Sequence, residues 1–556
     1  MDVELEGLAA VTEKVAAYRR LVEAGNDRFL PDLAMSLNTL STRLADAGRR
    51  EEGLAAITEA VQTYRHLVET SPDRFLADLA MSLNTLSTRL ADAGRREEGL
   101  AAITEAVQTY RRLAETPPDA VTFLPKLAAS LNNLCLRLGD VGRPEEGLAA
   151  ITEAVEIRRR LAQAQPDAFL PDLARSLNNL AVRLGDVGRR EESLATSTEA
   201  VAAYRRLVQA EPDAFLPDLA RSLHNLSNGL GFLGRRTEGL ATNTEAVEIY
   251  RRLVETRPET FLPRLASSLT NLYKWLASVG RPEEGLAAIT EAVAAYRRLV
   301  QAEPDAFLPG LARSLNNLSG GLADVGRQEE GLAAITEAVE IRRRLAQAEP
   351  DAFLPDLATS LNNLAVRLGD AGRYEEELAA IAEAVEIRRR LAQAQPNVFL
   401  ADLAGSLHSL SSGLADVGRR KEGLAAITEA VEIRRRLAQA EPDAFLPDLA
   451  ASLHNLSNQT DARHREEGLA AITEAVEIRR RLAQAEPDAF LPDLAASLNN
   501  LAVRLGQSGQ GAEGLVAITE AIDIRRRLAQ VRPRVHQSGL DQALTVEKWL
   551  HRNTSI

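Results

Sequence analysis

Apolar and polar residues alternate along the chain with a helical period. Leu131, Leu134 and Leu138 fall at i, i+3 and i+7, and Leu148, Ile151, Val155 and Leu161 form a second stripe of the same kind. The spacing predicts two amphipathic helices. Gly142, in the run DVGR, can close the first helix in a left-handed conformation, and Pro144 suits the first turn of the second. Pro166 is expected to end that second helix, PDAF to form a turn, and Pro171 to pre-set the next first helix. On the outer face Glu156 is placed to pair with Arg160 at i+4. The predicted unit is a helical hairpin.

This unit recurs along the sequence. Gly7, Gly53, Gly99, Gly147, Ser193, Gly239, Gly285, Gly331, Glu377, Gly423, Gly468 and Gly514 share one column, at intervals of 46 residues except for one of 48 and one of 45. A fixed period of this size marks a solenoid, in which each unit buries its apolar face only by stacking on its neighbours. The expected fold class is all-α, a right-handed α-solenoid (superhelix) of eleven hairpins. Residues 1–27 read as an orphan second-type helix with Leu8, Val11, Val15 and Leu21 on its stripe, residues 28–530 as the repeats, and residues 531–556 as a capping helix and tail. The orphan helix has no first helix before it. It is therefore expected to offer an apolar face for a homodimer or for a preceding domain.

Leu131, Leu134, Cys135, Leu138, Gly147, Ile151 and Ala154 fill alternating large and small places, and the run SLNNLCLRLGDVGRPEEGLAAITEAVEIRRRL resembles a tetratricopeptide repeat of the kinesin light chain type. The chain departs from that pattern in three ways. Leucine mostly takes the aromatic places, Arg159 replaces the usual proline, and the period exceeds the family's length of about 34 residues. The resemblance implies a concave groove lined by first helices that grips an extended peptide or a partner helix. It thus implies a non-enzymatic protein–protein interaction scaffold.

Composition narrows the function further. A length of 556 residues exceeds one ordinary core, and a 4% aromatic content disfavours sheets. The net charge of −13 argues against a nucleic-acid groove and against a polybasic membrane surface. The acidic N-terminal run and the lack of any long apolar window predict no export, no membrane span and a cytoplasmic protein. One cysteine, Cys135, excludes an internal disulfide framework and occupies a small packing place. No phosphate loop, zinc-protease motif or nucleophile elbow occurs, and the seven histidines lack metal-ligand spacing, so no cofactor, metal or catalytic residue is expected.

Candidate contact residues lie on the groove face of the first helices. Asn38, Asn84, Asn132, Asn178, Asn316, Asn362 and Asn499 form one column, which His224, His408 and His454 interrupt. Asn133, Asn179, Asn225 and Asn271 belong to the column beside it. A ladder of amides can pair with the backbone of an extended peptide, or each amide can bond a neighbouring helix. Asp140, near a helix C-terminus, is expected to pair locally with Arg143. In the fifth copy the face changes to Arg221, His224, Asn228 and Phe232, and the sixth adds Tyr273, Lys274 and Trp275. Nearby Ser197 and Asn243 stand where isoleucine is usual. Copies four to seven are therefore the expected specific part of the groove. The tenth copy, LSNQTDARHREEGL, has Thr460 in a leucine place and no loop glycine, which suggests a joint. An alternative reading makes the array a sensory or regulatory module of a larger signalling or defence system, its effector lying on another chain or a missing segment.

Overall fold

The computed structural model describes residues 2–115 and 120–554, and the chain divides into two compact units, Met1–Arg281 and Pro282–Ile556. The first unit holds α1 (Asp2–Glu23), α2 (Leu30–Asp46), α3 (Arg50–Thr70), α4 (Pro72–Asp92), α5 (Arg96–Ala114), α6 (Ala120–Asp140), α7 (Pro144–Ala164), α8 (Pro166–Asp186), α9 (Arg190–Ala210), α10 (Pro212–Phe232), α11 (Arg236–Thr256) and α12 (Pro258–Ser278). The second holds α13 (Pro282–Ala302), α14 (Pro304–Asp324), α15 (Gln328–Ala348), α16 (Pro350–Asp370), α17 (Tyr374–Ala394), α18 (Pro396–Asp416), α19 (Arg420–Ala440), α20 (Pro442–Gln459), α21 (Arg465–Ala485), α22 (Pro487–Gln507), α23 (Gly511–Val531) and α24 (Pro533–Thr554). From α2 onward even-numbered helices are first helices and odd-numbered ones second helices. Among the described residues there is no strand, and the fold is an all-α solenoid of consecutive hairpins.

Burial follows the apolar stripes. Leu131, Ile151, Ala154 and Val155 are almost wholly buried, with Leu134, Leu148 and Leu161 packed at the margin. Within each unit every helix packs on the helices before and after it, and successive first helices such as α8 and α10 also touch. Three residues join a first helix to its second, and Gly142 sits there at φ 74°. That conformation strains any side chain with a Cβ, which explains the glycine.

The other junction differs from the sequence expectation. Pro166 begins a helix rather than ending one: α7 stops at Ala164, Gln165 alone bridges in a non-helical conformation, and PDAF is helical, with Phe169 N–H bonded to Gln165 O at 3.2 Å. Proline is tolerated at the first helical position because its missing N–H would have no intrahelical partner there. Pro171 lies inside α8 but near its start, so one backbone bond is forfeited.

The two expected ion pairs are not the ones formed. Glu156 and Arg160 make no ion pair among the described residues; instead their neighbour Arg159 reaches Glu199 on the next second helix (2.5 Å), and Arg65–Glu105, Arg205–Glu245, Arg343–Glu383 and Arg480–Glu520 repeat the link. Stacking brings these charges together, which a single-helix wheel does not show. Asp140 pairs with Arg137 one turn earlier (3.3 Å), while Arg143 forks onto Glu146 in the first turn of α7.

The chain ends of the array also differ in detail. Leu8 and Val15 of α1 are buried in the core with α2 residues, so these two side chains are not on offer to a partner, whereas Leu21 is exposed. In α24 the most buried residues are Ala543 and Leu550, with Leu540 and Leu544 at the margin and Trp549 lying against Gly506. The expected joint in the tenth copy is a tied end. Helix α20 stops at Gln459, Thr460 is buried over Gly468, and Asp461 caps a short turn through Arg463 N–H (2.9 Å) and His464 N–H (3.3 Å). Arg504 of α22 donates to the carbonyls of Thr460 and Ser457.

Candidate partner-binding site

The asparagine columns are placed by the stacking of first helices. Asn38 donates to Ser82 Oγ (2.7 Å), Asn84 to Ser130 Oγ (2.5 Å) and Asn178 to Ser222 Oγ (2.5 Å), each across to the next first helix. Asn132 and Asn316 instead accept from Ser176 (3.4 Å) and Ser360 (3.3 Å), and Asn362 faces Ser406. The second column reaches backwards: Asn133 donates to Asn84, Asn179 to Asn132 and Asn363 to Asn316. Asn38, Asn84, Asn132, Asn178, Asn316 and Asn362 thus each bond a neighbouring first helix. Asn499 Oδ1 is buried and has no partner among the described residues.

A residue class overlooked in the sequence explains which way each bond runs. The column holding Tyr64, Tyr110, Tyr204 and Tyr250 holds Arg158, Arg342, Arg388, Arg434 and Arg479 in other copies, all buried. Arg158 Nη1 donates to Asp172 O (3.1 Å) and to Ser176 Oγ, and burial holds its guanidinium down at about 10. A serine whose oxygen already accepts from arginine is left with its O–H to give, so Ser176 donates to Asn132. Where tyrosine stands instead, Ser82 and Ser130 give their O–H to the backbone one turn earlier and accept from asparagine. The alternation of tyrosine and the first arginine of IRRRL was the available signal.

The fifth and sixth copies break this lattice. His224 Nδ1 lies 3.0 Å from Ser268 Oγ and its Nε2 lies 3.3 Å from Asn271 Nδ2, so the ring substitutes for an asparagine. Arg221 pairs with Asp218 (2.7 Å), and Asn228 Oδ1 accepts from Asn271 (2.9 Å). Phe232 is 63% exposed, with the Arg190 guanidinium 5.5 Å from its ring centre. Trp275 donates to Ser227 Oγ (2.7 Å), and its ring fills the space that a Cβ on Gly239 would need.

A cavity of about 770 Å³ opens here within the first unit, among α8, α9, α10, α12 and the start of α11. It brings together Asn228, Phe232, Lys274 and Trp275 of the expected residues, but not Arg221, His224 or the first asparagine column. Two substitutions empty it. Ser197 replaces the isoleucine that is fully buried as Ile151 in α7, and Gly229 takes the column of Arg137 and Arg183. Arg183 lies against Gly139 of the preceding first helix, whereas a Cβ on Gly229 would meet nothing. Gly229 carried no obvious sequence signal, because Gly321 and Gly413 share its column.

Comparison with known proteins follows the repeat. A family model described as tetratricopeptide repeat matches residues 79–119, 173–213, 357–395 and 494–532, each segment covering most of a first helix and the whole of the second helix that follows it. The chain carries tetratricopeptide repeats of the kinesin light chain-like kind. A model described as anaphase-promoting complex subunit 5 matches residues 311–354, 395–444 and 449–489 of this tetratricopeptide array. Among solved structures, BtubC (BKLC) from P. vanneervenii is similar at TM-score 0.37 and 20% identity over 45% of this chain and 92% of that one. A putative kinesin light chain with nearly identical TPR-like repeats from Podosopora anserina is similar at TM-score 0.30 and 19% identity, over 40% and 96% respectively. No curated protein matches the sequence significantly. Tetratricopeptide repeats generally mediate protein–protein interaction, typically as non-catalytic scaffolds.

The remaining chemistry of this tetratricopeptide array is sparse. Among the described residues no group of histidine, cysteine and carboxylate side chains is placed to hold a metal ion, and no helix is long and apolar enough to cross a membrane. Cys135 is buried, which pushes its thiol up to about 11 and leaves it a packing residue rather than a nucleophile.

Proposed function

We propose that this chain is a non-enzymatic cytoplasmic scaffold that binds an extended peptide or partner segment along the first helices, with recognition centred on α8 to α12. The observation that carries this reading is the coincidence of a cavity with an exposed aromatic residue, Phe232, at the place where repeat regularity fails. Partner recognition concentrates on a few aromatic and arginine side chains set in pockets. In this reading Asn38, Asn84, Asn132, Asn178, Asn316 and Asn362 hold the first helices in register, Asn499 keeps an amide oxygen without a protein partner, and Asn228, Phe232, Lys274 and Trp275 make the contacts.

The test is affinity capture with the intact chain and with Phe232→Ala, followed by mass spectrometry. A partner that rebinds as a purified protein and loses at least about tenfold in affinity with Phe232→Ala supports the reading. Equal affinity of both chains for every rebinding partner overturns it.

A further inference from the structure

The same cavity contains polar groups that the protein does not satisfy. Ser197 is 2% exposed and lines the cavity, and its side-chain hydroxyl makes no hydrogen bond among the described residues. Asn225 lies on the wall in the column where Asn133, Asn179 and Asn271 each bond the preceding first helix. Asn225 makes no such bond, and Asn178 Oδ1, its counterpart in the lattice, is buried without a partner. Ser197 and Asn225 thus border the cavity with hydrogen-bonding capacity that no protein group takes up, and a ligand in a concave site can use it.

The rest of the cavity limits what that ligand is. Phe232 and Trp275 supply aromatic surface, and the empty places of an isoleucine and an arginine supply depth. Arg236 and Lys274 line it, and Arg190 stands over Phe232. Asp186 is the one carboxylate on its lining, and it is paired with Arg183 (3.1 Å). Two cations against one carboxylate give the lining a net positive formal charge, which disfavours a cationic guest. A volume of about 770 Å³ is that of a site for a small organic ligand.

We infer that the cavity binds a planar heteroaromatic ligand carrying an anionic group: the ring lies against the aromatic surface, its hydrogen-bonding edge meets Asn225 and Ser197, and its negative charge faces Arg236 and Lys274. A side-chain amide presents a donor and an acceptor side by side, matching the edge of an aminopurine. This inference needs the cavity but not the scaffold reading, and goes beyond it.

Trp275 is a built-in reporter, since the chain has two tryptophans and Trp549→Phe leaves only this one. Adenosine monophosphate titrated into the Trp549→Phe chain is expected to change Trp275 emission saturably, and adenosine to bind at least about tenfold more weakly. Ser197→Ile and Gly229→Arg restore residues that neighbouring copies carry, so they should fold with unchanged or higher melting temperature. Each is expected to raise the half-saturating concentration at least about tenfold. No saturable change up to millimolar nucleotide, or equal binding by well-folded refilled variants, overturns the inference. If Phe232→Ala still weakens a purified protein partner in that case, the cavity serves a partner side chain and the scaffold reading stands alone.

Discussion

Ser176 donates its hydroxyl hydrogen to Asn132 Oδ1 across two first helices (3.4 Å), whereas two helices on, Ser222 receives a hydrogen from Asn178 (2.5 Å). The reversal is set from a third helix. Arg158 supplies a donor to Ser176, and Tyr204 holds the equivalent place before Ser222. One buried residue in each second helix thus decides the direction of the bond that joins the first helices on either side.

Removing that donor tests the arrangement. Arg158→Met keeps most of the side-chain volume but leaves Asp172 O and Ser176 Oγ without their partner, at a cost of about 1–3 kcal/mol. Arg158→Tyr is expected to cost less, because a tyrosine hydroxyl in this column already meets a first-helix carbonyl, as Tyr110 meets Ala77 O (3.3 Å). Urea denaturation of the three chains measures the order. A methionine variant as stable as the parent would show that these bonds add nothing net to the cost of burying the guanidinium.

Asn178→Ala separates packing from propensity. Alanine is the better helix former by about 0.7 kcal/mol, yet Asn178 is 1% exposed and its bond to Ser222 would be lost. Loss of the bond leaves Ser222 without that donor, so a net destabilisation of about 1 kcal/mol is expected. A rise in melting temperature would mean that the amide is not a staple between helices.

The hairpin period was legible in sequence because burial repeats with it. Leu131 and Ile151 disappear into the core wherever they recur, and Gly142 adopts the left-handed turn its position suggested. What could not be read were choices made between repeats. Along one helix Glu156 is the partner in register for Arg160, whereas the pair that forms, Arg159 with Glu199, exists only once second helices are stacked. Pro166 fits a helix stop and a helix start alike, and the single non-helical residue Gln165 decides for the start. For the cavity, Ser197, Phe232 and Trp275 were visible as irregularities, whereas the void at Gly229 depends on what the neighbouring helix does not fill.

The outer arginine–glutamate ladder should contribute little per rung. Arg159 and Glu199 are 45% and 44% exposed, and exposed pairs add about 0–1 kcal/mol. Glu199→Gln is expected to shift the melting temperature by less than the Arg158→Met change. A larger shift, reduced by high salt, would show that the ladder acts as a connected network.

Arg504 is expected to matter more than its column mates, because it ties the interrupted end of α20. Arg367 pairs with Asp370 of its own helix (3.1 Å), whereas Arg504 donates to the carbonyls of Ser457 and Thr460 on a neighbouring helix. Arg504→Met should speed amide hydrogen exchange in residues 457–464 at least about tenfold, the effect of losing roughly 1.4 kcal/mol of local stability. Arg367→Met should leave exchange in its neighbouring first helix nearly unchanged. Equal responses would remove the special role of Arg504.

Acid should weaken the second unit through two histidines. His408 Nδ1 lies 3.2 Å from Ser452 Oγ and His454 Nδ1 3.1 Å from Ser497 Oγ, and those serines already accept from Arg434 and Arg479. Each serine therefore gives its hydrogen to the imidazole, which must stay neutral to accept it. Burial first, then the facing arginine, hold both rings down at about 4, with Asp448 opposing at His408 and the His408 ring adding to the effect at His454. An unfolded histidine titrates near 6.5, so between about pH 6.5 and 4 the unfolded chain binds more protons and stability falls as pH falls. Above about pH 7 both states are neutral and the contribution vanishes. At pH 5 the loss is at most about 2 kcal/mol per histidine. Replacing both residues by asparagine, as in Asn132 and Asn178, should preserve the lattice and remove this part of the pH dependence. Denaturation of parent and double variant at pH 7.5 and pH 5 decides the matter: equal acid sensitivity of the two chains would place the labile groups elsewhere.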